Sequence, residues 1–183
     1  MNALPQRLMT VDEFLDWSEG QPGRYELYAG QVYAISPERS EHAEVKFAVQ
    51  TELKRAIEAA GLPCRMMPDG MTVRVAKDTA HEPDALVYCG PRLPKGSIEV
   101  PNPVIVIEVL SPSTRHIDAS AKLAGYFQLR SVEHYLIIDP ERRPTIHHRK
   151  LTDGSISTHL VSSGAIRLDP PGIDLDTAAF FVV

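Results

Sequence analysis

Pro103-Val104-Ile105-Val106-Ile107-Glu108-Val109-Leu110 is the most apolar strand-like run of the chain, and it carries one charge. β-Branched residues without polar alternation suit a strand covered on both faces, so this segment reads as the centre of a sheet. The glutamate is the anomaly. A carboxylate buried without compensation costs several kcal/mol, so Glu108 needs a cation, a donor network or a proton. A strand-end residue paired with a neighbouring arginine meets the same need by structural means alone.

Working outward, Glu82-Pro83-Asp84-Ala85-Leu86-Val87-Tyr88 places a second carboxylate at the entry to another strand. Asp84 and Glu108 are 24 positions apart, and the Pro-rich stretch from 91 to 103 can fold the two strands antiparallel and bring the carboxylates together. Two hard oxygen donors beside open water positions suit Mg²⁺, although an Asp after Pro is also a common strand-start residue. Alternation puts Glu108 and Leu110 on one face, so a cation for that face must come from elsewhere. Lys122 is a candidate, four residues after Asp118; by itself it reads as an exposed i,i+4 partner of Asp118.

The remaining pattern predicts a mixed α/β chain, a sheet flanked by helices. Thr10-Val11-Asp12-Glu13 matches a capping box and opens a short helix ending near Gly20. Residues 24–28 and 31–35 flank Ala29-Gly30 as a hairpin. Val45, Val49, Leu53, Ala56, Ile57 and Ala60 recur at intervals of three and four, predicting a helix over 40–60 that stops at Gly61. Strands are expected at 71–75, 84–88, 104–110 and 133–138, a helix over 118–129 capped by Asp118, and a peripheral hairpin at 145–149 and 156–161. With no repeat and no linker, residues 1–183 read as a single domain.

Composition narrows the function only by exclusion. A net charge of −5 over 183 residues rules out a surface coated in positive charge. Residues 108–150 nevertheless carry 7 basic against 5 acidic side chains, in a chain otherwise acidic. Only Cys64 and Cys89 occur, outside any zinc-ligand spacing, so neither a disulfide framework nor a structural zinc is expected. There is no signal-like apolar run and no apolar stretch of membrane-spanning length, so a soluble, cytoplasmic protein is expected.

The combination Glu82-Pro83-Asp84, then Glu108-Val-Leu110-Ser-Pro-Ser113, Asp118-x-x-x-Lys122-x-x-x-Tyr126 and Asp139-Pro140 resembles the Uma-two family of restriction endonucleases, within the PD-(D/E)XK nuclease superfamily. Arg24-Tyr25-Glu26-Leu27, Gly30 and Ser36-Pro37 before His42 extend the likeness over most of the chain. Two departures stand out: the superfamily lysine two residues after the glutamate is Leu110, its role passing to Lys122, and Ser131-Val132 replaces the usual Gly-Val.

The resemblance implies a restriction-endonuclease-like core with an N-terminal hairpin and metal-dependent cleavage of DNA. Asp84, Glu108 and the Val109 carbonyl would hold Mg²⁺ or Mn²⁺, with Lys122 orienting the attacking water. Glu26 would be an outer ligand and His42 would lie near the phosphate. DNA is the implied partner, and a homodimer suits cutting of both strands. Other readings stay open: Glu26 paired with Arg24 or Lys46, His42 facing solvent, and Tyr126 and Asp139 supporting the fold. The rivals in function are a catalytically silent nuclease-like DNA-binding or assembly module and a small-molecule phosphate-ester hydrolase. His134, His147, His148 and His159 are weak site candidates.

Overall fold

The computed structural model describes residues 7–111 and 119–181. In chain order the elements are α1 (Val11–Ser18), β1 (Tyr25–Tyr28), β2 (Gln31–Ala34), α2 (Ser40–Ala59), β3 (Cys64–Pro68), β4 (Val73–Ala76), β5 (Thr79–His81), β6 (Ala85–Cys89), β7 (Ile105–Val109), α3 (Ala119–Gln128), β8 (His134–Ile138), β9 (Thr145–Lys150), β10 (Ile156–Val161), β11 (Ala165–Leu168) and β12 (Ile173–Asp176), followed by a 3₁₀ turn over Thr177–Phe181. The mixed α/β class is as the sequence predicts. Pro112, Ser113 and Asp118, the expected cap of α3, lie outside the described residues.

The main sheet runs β10-β9-β8-β7-β6-β3, and β7 does sit inside it. Only β7 and β8 are parallel, joined by the crossover that contains α3. Both faces of β7 are covered, which explains its unbroken apolar composition. On one face Ile105 and Ile107 pack with Val49, Leu53 and Ile57 of α2 and with the β11–β12 hairpin. On the other, Val106 packs with Leu86, Tyr126 and Tyr135. Ile105, Val106 and Ile107 are all fully buried.

A second sheet, β2-β1-β5-β4, carries the N-terminal hairpin against α1, whose Thr10–Glu13 capping box forms as expected. The hairpin turn places Ala29 at φ 48° and Gly30 at φ 77°, a two-residue turn with both central residues left-handed. The strand expected at 71–75 is β4, which pairs with β5, and Gly125 lets α3 settle close above Val75. A Cβ at Gly125 would stand 3.1 Å from Val75 Cγ1, so only glycine permits that approach without displacement.

Two features differ from expectation, and the burial of two histidines accords with their weak standing as site candidates. Cys64 and Cys89 are direct cross-strand partners of β3 and β6 and form a disulfide, where none was expected from their spacing. Strands β3, β5, β11 and β12 are additional to those expected: β3 and β5 lack clear alternation, whereas β11 (Ala165-Ile166-Arg167-Leu168) and β12 (Ile173-Asp174-Leu175-Asp176) alternate but are only four residues long. His134 and His147 are core residues, 0% and 6% exposed, with 2.9 Å between His134 Nδ1 and His147 Nε2. Among the described residues no helix is long and apolar enough to cross a membrane.

Burial is the main influence holding both of these histidines down to about 4, aided by the Arg149 charge at His134 and by mutual repulsion at His147. In the unfolded chain each titrates near 6.5. Their contribution to stability is therefore complete above about pH 6.5 and is lost as pH falls towards 4, by up to about 1.4 kcal/mol per pH unit per histidine. Urea unfolding of His147→Gln between those limits should show a shallower decline than wild type; parallel curves would show that His147 does not titrate this way.

Candidate active site

The site assembles where β6 begins and β7 ends. Antiparallel pairing of Ala85 with Ile107 brings the next residues out, Asp84 and Glu108, side by side on one face. Asp84 is locked there because its Oδ2 accepts the Val109 N–H at 2.7 Å. Gln50 of α2 donates to the Asp84 carbonyl at 2.8 Å, tying the strand entry to the helix.

Glu108 solves its burial with both a cation and a donor. Its Oε1 accepts from Lys122 Nζ at 3.1 Å and from the Tyr126 hydroxyl at 2.8 Å. Lys122 and Tyr126 are one turn apart on α3, so the same helix face delivers both. The Lys122 side chain is 6% exposed, which sets aside the solvated i,i+4 reading. Its ammonium also reaches Glu26 Oε1 of β1 at 3.1 Å. Glu26 thus pairs with neither Arg24 nor Lys46. Arg24 binds Glu82 and Asp69, and Lys46 binds Glu38 and Asp69.

His42, in the first turn of α2, is buried rather than solvent-facing. Its Nε2 lies 2.9 Å from the Val109 carbonyl and 3.5 Å from Asp84 Oδ2. With the Nε2 proton donated to that carbonyl, Nδ1 is left without a hydrogen-bond partner, 3.6 Å from Glu38 Oε2. Glu38, Asp84 and His42 offer ligand atoms within 4.8 Å of one another. Glu38 was not singled out in the sequence; the only signal is that it lies four residues before His42 beside Ser36-Pro37. A cavity of about 500 Å³ opens over Glu26, Glu38, His42, Asp84, Glu108 and Lys122. The structure therefore gathers all five predicted site residues, plus Glu38, around one space.

Electrostatics divide the two carboxylates that share Lys122. Burial is the largest influence on Glu108 and raises it well above the ordinary carboxylate range; Lys122 opposes, while Asp84 and Glu26 add repulsion. Burial also resists ionisation of Glu26, but Lys122, His81 and the Glu82 amide outweigh it and hold Glu26 low. His42 loses to burial but gains more from Asp84, the Val109 carbonyl and Glu38, and ends raised. Three carboxylates, an imidazole and a backbone carbonyl around an open cavity fit a divalent metal; carboxylate and carbonyl oxygen suit Mg²⁺ or Mn²⁺. Tyr126 and Asp139 play the supporting parts foreseen: Tyr126 is fully buried against Tyr135, and Asp139 accepts the Glu141 and Arg142 amides beyond β8.

Comparison with known proteins identifies the family and the fold. Residues 11–178 match the family Uma2, described as putative restriction endonuclease, and the chain belongs to that family. Two proteins of Synechocystis sp. are similar: uncharacterized protein slr1290, 26% identical over 147 residues covering 80% of this chain and 76% of that one, and uncharacterized protein sll1609, 24% identical over 150 residues covering 80% and 84%. A crystal structure of a putative nuclease belonging to DUF820 from Anabaena variabilis superposes with TM-score 0.72 at 16% identity, covering 94% of this chain and 97% of that one. Its likeness establishes the shared fold, and family membership carries the nuclease class with it.

Removing the shared cation should expose how the site is balanced. Lys122→Met leaves Glu26 and Glu108 facing each other and should destabilise the protein by about 3–5 kcal/mol near pH 8. The deficit should shrink towards pH 5 as a proton replaces the ammonium, and Glu26→Gln in the same background should recover part of it. Urea unfolding at the two pH values checks this; a pH-independent deficit would mean that lost packing, not charge, is responsible.

Proposed function

We propose that this chain is a metal-dependent endodeoxyribonuclease of the PD-(D/E)XK type, working in the cytoplasm as one domain and as a homodimer. The observation that carries the reading is the Lys122 ammonium standing 3.1 Å from both Glu26 and Glu108, beside Asp84, in one open cavity. A purely structural ion pair has no need of a second and third carboxylate lining the same open cavity.

In this reading Asp84, Glu108 and the Val109 carbonyl hold Mg²⁺ or Mn²⁺. When bound, the ion polarises the scissile phosphate and makes a bound water more acidic. The Val109 carbonyl already accepts from His42, but its second lone pair remains for another partner. Glu26 keeps the Lys122 ammonium aimed at Glu108, from where it orients the attacking water and offsets charge developing on the phosphate. His42 sits at the mouth, between Asp84 and Glu38, within reach of an entering phosphate oxygen.

Supercoiled and linear DNA should be cleaved in Mg²⁺ or Mn²⁺, with loss of at least about 100-fold in Asp84→Ala and in Lys122→Ala. Cleavage that survives both substitutions would place the chemistry elsewhere. Calorimetric metal binding and DNA binding without cleavage would mark the chain as a silent nuclease-like module, and hydrolysis of a small phosphate ester alone would point to the third reading.

A further inference from the structure

A second groove, of about 760 Å³, runs beside the free edge of β3, between that strand and the loop after β6. Among its lining residues are Arg65, Arg92 and Lys95, together with Tyr88, Met67 and Met71, and it is lined by no carboxylate. In a chain of net charge −5 this is a local reversal of sign. The cations near the catalytic cavity are each matched by acids, Arg24 by Asp69 and Glu82 and Lys46 by Glu38 and Asp69. Arg65, Arg92 and Lys95 are exposed and form no ion pair among the described residues.

The sheet register fixes how far the groove lies from the site, with Leu86 buried between them. Asp84, Leu86 and Tyr88 alternate onto one face, and Arg65 lies opposite Tyr88, so Arg65 projects on the face that carries Asp84 and Glu108. Four residues of strand separate Asp84 from Tyr88, roughly 14 Å, which is the rise of about four base pairs of duplex. The loop is held in place as well. The Leu93 amide donates to the Tyr88 hydroxyl at 3.3 Å, Ser97 Oγ to the Pro94 carbonyl at 2.8 Å, and the Thr72 amide to the Ile98 carbonyl at 2.9 Å. Arg92 and Lys95 therefore stand on an ordered backbone, and a ligand there does not have to order it.

We propose that this groove seats the phosphate backbone of duplex DNA flanking the scissile phosphate, with Arg65, Arg92 and Lys95 as its contacts. The proposal rests on the nuclease reading for its substrate, and adds where an acidic protein grips a polyanion. Such contacts fix register without reading sequence.

The test is fluorescence anisotropy of a labelled duplex, without divalent metal, across about 50–200 mM salt. Each phosphate contact contributes about 0.9 to the slope of log K against log salt. Arg65→Gln/Arg92→Gln/Lys95→Gln should lower the slope by about 2.7, so that its affinity falls roughly 40-fold less over that range than that of wild type. Lys54→Gln/Lys77→Gln/Arg130→Gln makes the same change in net charge on other surfaces and should leave the slope within about 0.5 of wild type. Circular dichroism confirms that both variants fold. Wild-type binding with an unchanged slope in the groove variant, or an equal fall in the control, overturns the groove and leaves the nuclease reading intact. Absence of wild-type binding at low salt removes the nucleic-acid reading itself, and the groove with it.

Discussion

A single ammonium, that of Lys122, is wedged between two buried carboxylates contributed by different sheets, and the organisation of the molecule around the site follows from that contact. Glu26 rides on the small sheet, Glu108 on the large one, and α3 brings the cation between them. Neither carboxylate could stay ionised at such depth alone, because desolvation would drive a proton onto it. One positive charge cannot fully serve both, and so Glu26 is held low while Glu108 is pushed high. The result is a carboxyl group inclined to keep its proton, next to an aspartate fixed by a backbone amide.

Much of this was legible in the chain. Glu108 announces itself because nothing apolar tolerates a lone carboxylate, and the Pro-rich connection after Tyr88 permits the antiparallel turn that sets Asp84 beside it. The periodicity over 40–60 yields α2 almost to the residue. The reach of Lys122 was harder to read: besides Glu108 it contacts Glu26, 96 positions away, and no local pattern encodes so distant a contact.

What escaped the sequence escaped for physical reasons. Glu38 stands in a polar loop with no periodicity, and it matters only because α2 starts where it does. The strand β3 lies at a sheet edge, with the consecutive Met66-Met67 breaking alternation before Pro68, and its disulfide follows from a register that spacing alone does not reveal. β5 is three residues long, too short for a pattern, yet its His81 stands behind Glu26 in the fully assembled site.

The close seat of α3 above Val75, made possible by Gly125, has a wider meaning. Because Lys122 and Tyr126 flank that glycine, the clearance at one Cα sets how deep the helix lies and hence whether the ammonium can touch both sheets at once. The site is in effect a measuring device for the docking of one sheet on the other. Anything that lifts the hairpin layer away from α3 would part the ammonium from Glu26 and leave that carboxylate buried without its cation, while the strand pairing of the six-stranded sheet need not change.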